Sequence, residues 1–168
     1  GSLAIHVVQT TVSAAVDPDA TLNMKSGDLK LSATSATKST TAATPDEDGV
    51  SGESIGVGAS VALGIIDHQT SVSVGDGASI AELGALTMTA TSTSENETKA
   101  VGGAKASGSS AIVATPVVGI SFLFSDTGAK IGVGTDLAMK GDLSLKASHD
   151  SSSDTIAEGD AEGGSTTV

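Results

Sequence analysis

Three histidines, His6, His68 and His149, and a set of acidic turns are the residues of this 168-residue chain whose types could do chemistry. A tight metal site needs imidazoles, thiolates or carboxylates converging at fixed spacing. The three histidines fall at non-equivalent places in the pattern and share no carboxylate spacing, so they read as solvent-exposed or strand-facing residues. The acidic turns are Asp17-Pro18-Asp19, Asp46-Glu47-Asp48-Gly49 and Gly75-Asp76-Gly77. Carboxylates beside backbone carbonyls are what calcium takes in extracellular modules. None of these turns has EF-hand spacing or the Gly-Gly-x-Gly-x-Asp nonapeptide of calcium-binding β-rolls. An Asp that caps its own backbone in a turn accounts for them without an ion. Calcium is thus the one cofactor the turns could take, and no catalytic, cofactor-binding or metal-binding residue is assigned.

Other spacings invite chemistry and fall short of it. Gly56-Val57-Gly58-Ala59-Ser60 has two glycines of a phosphate-binding loop but lacks the third, the helix and a Lys-Ser/Thr pair. Glycine for close packing in a strand explains it better. There is no Gly-x-Ser-x-Gly elbow and no cysteine. Cleavage of acidic polysaccharides needs a base and clustered cations, yet the chain has no arginine and its eight lysines are dispersed. Glycoside hydrolysis needs two carboxyls about 5–10 Å apart. Asp46 and Asp48 could meet that distance, but on a loop found in one place only. The Thr-rich run 87–94 could order water or a crystalline glycan on a flat face, but its Thr positions are poorly kept in the related stretches 30–35 and 144–149. Asn96-Glu97-Thr98 matches a glycosylation acceptor. The chain is expected not to be an enzyme.

The elements that carry these residues must be built from small side chains. There are two Phe, no Tyr, no Trp and 21 Gly, so a wide core filled with rings is excluded. Ala, Val, Ile and Leu suit a thin core between closely spaced backbones. A formal charge of −12 with Lys as the only base argues against nucleic acid and against a basic patch on an anionic membrane. No run of eighteen apolar residues is present, so no membrane insertion is expected.

The chain repeats. Residues 27–35, 84–92 and 141–149 align at a spacing of 57, superposing Leu29, Leu86 and Leu143, then Leu31, Met88 and Leu145, then Ala33, Ala90 and Ala147. Ile55 with Ile112, Val61 with Val118 and Leu63 with Ile120 keep that offset, while Val16, Val74 and Val133 drift by a residue or two. Within each unit apolar residues alternate, the mark of strands. Gly75-Asp76-Gly77, with Asp17-Pro18-Asp19 and Gly134-Thr135-Asp136 as counterparts, makes a turn. Ala100, Gly102, Ala104 and Ala106 match Ala157, Gly159, Ala161 and Gly163, which predicts a strand packed against another backbone. Pro45 and the acids after it interrupt this strand in the first copy, predicting an exposed loop over 44–54.

Units with narrow inner faces bury them by stacking. The predicted fold is all-β, a parallel β-helix (β-solenoid) of about 57-residue repeats, with an antiparallel β-sandwich as the alternative. Each unit would supply either about three short coils or fewer coils of long strands. The whole of 1–168 reads as one repeat array, a fragment of a longer chain, with a partial repeat 1–19, repeats 20–77 and 78–136, and a partial repeat 137–168. An open end would be an edge strand able to pair end to end.

The unit Val57–Asp67, Thr70–Ile80, Gly84–Ser92 resembles repeats of very large secreted bacterial proteins, the filamentous-haemagglutinin-like and leukotoxin-like filamentous adhesins. In them phrases of the type GASVAVNVVDN.T.A.IGDGA.V.A.GDVTVSA recur, and the likeness covers nearly the whole chain. One departure stands out: Gly64 and Ser121, with His6 in the first copy, stand in or near the place of the family's Asn, so the residues of an internal Asn ladder are missing there. The resemblance implies a β-helical stalk, an extracellular place on the bacterial cell surface, and an adhesive or spacing role. The expected function is a structural stalk and adhesive repeat module, mediating cell-surface, host or biofilm attachment without catalysis. Its partners would be neighbouring repeats of the same chain and host or matrix glycans and proteins. The alternative is a carbohydrate- or calcium-binding module using the acidic turns.

Overall fold

The computed structural model describes residues 1–45, 50–108, 111–163 and 166–167, and among them there is no helix. The first repeat unit, or circuit, holds β1 (Ser2–Val16), β2 (Thr21–Asn23), β3 (Leu29–Ala43), β4 (Val50–Gly52) and β5 (Ile55–Val57). The second holds β6 (Ser60–Val74), β7 (Ser79–Leu83), β8 (Leu86–Ala106) and β9 (Ile112–Ala114). The third holds β10 (Val117–Ile131), β11 (Asp136–Met139), β12 (Leu143–Glu162) and β13 (Thr166–Thr167).

Equivalent strands of successive circuits lie side by side. Sheet I is β1-β6-β10, sheet II β2-β7-β11, sheet III β3-β8-β12 with β4 also on β8, and sheet IV β5-β9-β13. Every ladder among the described residues is parallel. The antiparallel sandwich is therefore wrong, and each unit of about 57 residues carries two long strands and two or three short ones. Long strands follow from the unbroken alternation, since a strand that buries every second residue has no reason to stop before a turn residue.

Register corrects part of the alignment. Val16 pairs with Val74, and Val74 with Ile131 rather than Val133. β1 and β6 are offset by 58 residues (Ser2 to Ser60) while β3 and β8 are offset by 57 (Leu29 to Leu86). The first unit takes up its extra residue between β2 and β3, where Lys25 and Ser26 adopt φ of 49° and 67°. Because Val74 pairs with Ile131, the third-copy counterpart of Gly75-Asp76-Gly77 is Gly132-Val133-Gly134, not Gly134-Thr135-Asp136. The predicted loop over 44–54 is corrected too: β4 joins sheet III, with Val50 opposite Ala104, and β5 follows at Ile55. Residues 46–49 lie outside the described residues, and with them the Asp46–Glu47–Asp48 calcium site and the Asp46/Asp48 pair.

The core has zones. Val72 and Val74 of sheet I, Ile80 and Leu83 of sheet II, and Leu86 and Met88 of sheet III form one buried apolar cluster. At the other end Ala104 and Ala106 pack with Val113. The small alternate residues of β8 do meet another backbone there. A Cβ at Gly56 or Gly58 would run into the carbonyl oxygens of Lys105 and Gly103, so the glycines of 56–60 serve close packing, as expected.

The turn between sheets I and II is itself stacked. Asp19, Gly77 and Gly134 occupy one column with φ of 56°, 69° and 72°. The Asp19 amide donates to the Asp76 carbonyl at 2.8 Å, and the Gly77 amide to that of Val133 at 2.9 Å. Gly77→Ala should be destabilising by more than about 1 kcal/mol, because an L-residue strains at this φ and its Cβ would strike the Asp19 carboxylate. A urea midpoint unchanged from wild type would contradict this turn geometry.

Candidate functional site

Sheets I and III face each other across a polar seam. His68 on β6 hydrogen-bonds through Nε2 to the Ser35 hydroxyl on β3, and Ser35 also bonds Thr70 at 2.7 Å. His6 Nδ1 meets the Ser39 hydroxyl at 2.9 Å, and His149 Nδ1 meets Ser125 at 3.2 Å. Asn96 Nδ2 donates to Ser121 and, at 3.4 Å, to Ser153. These residues face inward because the same parity that buries Leu86 and Met88 buries Ser92, Ser94, Asn96 and Thr98 further along β8.

The histidines are thus cross-sheet partners of serines, non-equivalent along the ladders as expected. Their burial corrects the solvent-exposed part of that expectation for His68, which is fully buried. Among the described residues no three His, Asp or Glu side chains gather as a metal site would require. Asn96 is buried, which removes it as a glycosylation acceptor in the folded chain.

Several interior atoms lack a protein partner: Thr41 Oγ1, Ser92 Oγ, Ser94 Oγ, Thr98 Oγ1, Asn96 Oδ1 and His68 Nδ1 among them. Each costs stability relative to a satisfied group. For His68 the consequence has a sign. Burial of the ring, and next the charge of His149, lower its pKa from the ordinary value, while Asp67 opposes them.

One acidic turn, 75–77, and the separate Asp28 do something other than expected. Asp76 Oδ1 accepts the Val133 amide at 2.8 Å, and Asp28 Oδ1 accepts the Ala85 amide at 2.7 Å. Each carboxylate caps the next circuit, 57 residues on, instead of its own turn. The outer face of sheet III also links circuits, through Lys38–Glu95, Lys99–Glu158 and Lys105–Glu162 at 3.0–3.2 Å. All three are exposed and contribute little each. The Thr row is confined to β8, flanked by Lys30, Ser32 and Thr34 on β3 and by Ser144, Lys146 and Ser148 on β12.

The outer face of sheet I carries a feature the sequence reading missed. Leu3, Ile5 and Val7 of β1 pair in order with Val61, Leu63 and Ile65 of β6, and these with Val118, Ile120 and Phe122 of β10. Phe124 follows, stacked on Phe122 with centroids 6.4 Å apart. The signal was available: 3–8, 61–66 and 118–124 are largely apolar at both parities, which marks a strand apolar on both faces. Beyond this patch, a shallow depression of about 430 Å³ is lined in part by Thr11, Gln69, Asp126 and Lys130.

Compared with family models, with curated proteins and with solved structures, the chain gives no match.

The lowered pKa of His68 sets a pH dependence. The unfolded chain takes up this proton near the ordinary pKa of about 6.5, above the folded value. Stability is therefore full above about pH 6.5 and falls as pH drops below it. The urea midpoint should decline from pH 7 towards pH 5. His68→Thr, matching Thr10 at the same ladder position, should flatten that decline. An equal decline in the variant would show that His68 is not its source.

Proposed function

We propose that this chain is a segment of parallel β-solenoid serving as a structural stalk and adhesive repeat module on a bacterial cell surface, without catalysis. The observation that carries it is the pairing of strands 57–58 residues apart in three successive circuits. An array of this kind extends by adding units, each contacting only its neighbours. Length is then proportional to the number of repeats, the property a spacer needs. The resemblance of its repeat unit to those of filamentous-haemagglutinin-like and leukotoxin-like adhesins supports the surface location and adhesive role. Shallow outer faces repeated in register favour many weak contacts along the length over one deep site. Proposed partners are neighbouring repeats of the same protein and glycans or proteins of a host or biofilm matrix.

The competing reading is a carbohydrate- or calcium-binding module built on the acidic turns. It is weakened by the commitment of the Asp76 carboxylate to a backbone amide of the next circuit.

Retention under flow separates the two. Beads coated with the chain would be passed over host-cell monolayers and matrix polysaccharide, in millimolar calcium and after chelation. The stalk-adhesin reading predicts retention that rises steeply with coating density and is unchanged by chelation. Loss on chelation, or on substituting one acidic turn, would favour the ligand-site reading. No retention at any density would overturn the adhesive role.

A further inference from the structure

A chain with two aromatic side chains exposes both. Phe122 and Phe124 are 49% and 58% accessible on the outer face of β10, beside Ile120 at 40% and in the same array as Leu3 at 69% and Ile5 at 61%. Large exposed apolar patches are uncommon on isolated soluble domains and mark interaction surfaces. Aromatic residues are enriched at the centres of such surfaces. Here nine ladder positions on three strands in register carry no charged residue, and Phe124 at their margin pairs with Asp67.

We propose that the outer face of sheet I is a self-association surface on which a second copy of this chain packs face to face.

Two observations select this occupant. The first is charge segregation. The chain carries −12, which opposes association of copies through most faces. On sheet III, Glu95, Glu97, Asp150, Asp154, Glu158 and Asp160 stand at outward parity, opposite to the inward Ser and Thr rows. Packing through the apolar half of sheet I buries an uncharged array, with Asp67, Asp126 and Lys130 further along the same face, and leaves the sheet III acids pointing away from the partner. An anionic lipid surface gains nothing from this charge.

The second is area and shape. Three fifteen-residue strands make a face of about 50 by 14 Å, or roughly 700 Å², from ordinary strand dimensions. A standard interface buries about 800 Å² per partner. Flat β faces with aliphatic side chains pack on one another at about 10 Å, as in sandwiches. The apolar array covers about half of the face, so three circuits form a weak dimer, strengthened by each circuit that repeats the pattern.

Sedimentation velocity on the 168-residue chain, from about 1 μM to about 1 mM, tests this. The wild type should pass from monomer to dimer and stop there. Phe122→Glu and Ile120→Glu should each weaken the dimer at least tenfold. Thr91→Glu on the opposite sheet should leave it unchanged. Circular dichroism and thermal melts would establish that the variants fold. Three outcomes would overturn the proposal. The first is a monomer throughout the range. The second is open-ended growth insensitive to Phe122→Glu, which would assign association to the free strand edges. The third is a monomer that floats with neutral phosphatidylcholine vesicles, which would assign the face to lipid.

Discussion

Backbone hydrogen bonding between residues 57 or 58 apart is the interaction on which everything else in this chain depends. Each of β1, β3, β6 and β10 has all fifteen of its residues paired in parallel with a neighbouring circuit. The side chains alone could not hold such a structure. Much of the interior is Ala, Ser, Thr and Gly, which bury little apolar area at about 25 cal/mol per Å². Parallel ladders lock equivalent side chains into columns, and the columns then decide what each zone of the interior can be. The turn caps follow the same geometry, since Asp76 and Asp28 reach the circuit above because identical turns are superposed.

The polar seam is the cost of that arrangement. Long strands must present eight or more inward positions each, and the sequence fills the middle ones with Ser, Thr, His and Asn. Cross-sheet bonds such as His6 to Ser39 and His68 to Ser35 satisfy part of this polarity, while atoms such as Thr98 Oγ1 and Ser94 Oγ find no protein partner. Close approach of the two sheets at Gly64, where a Cβ would meet Thr98 Oγ1 at 2.7 Å, shows why small residues are needed there. The apolar clusters at the two ends hold the sheets together while the middle sets their separation.

Much of this was legible before the structure. The Leu29–Leu86–Leu143 alignment became three consecutive rungs of sheet III, and the alternating Ala and Gly of 100–106 became the tight wall against β5 and β9. Parity and spacing report such things directly. Alternation alone looks the same in parallel and antiparallel strands, so the direction of pairing rested on the 57-residue repeat, whose stacking sets equivalent strands parallel. The turn frame slipped in the third copy because Val133 looks like the match of Val74, although the ladder keeps the offset of 57 and pairs Val74 with Ile131. The histidine partners were hidden as well: His68 and Ser35 are 33 residues apart and on different sheets. The apolar face of sheet I was visible as runs apolar at both parities, but such runs do not say whether the second face is covered.

Register between circuits is open to direct measurement because the chain has no cysteine. Thr91→Cys with Ser148→Cys would place two thiols directly opposite on the outer face of sheet III, about 4.8 Å apart between Cα atoms and within disulfide reach. Thr91→Cys with Lys146→Cys would displace them by two residues, to roughly 8 Å, beyond that reach. Under mild oxidation the first pair should close rapidly in the folded protein and the second should remain reduced. Faster closure of the displaced pair, or no closure of the first, would contradict the parallel 57-residue register and the account built on it.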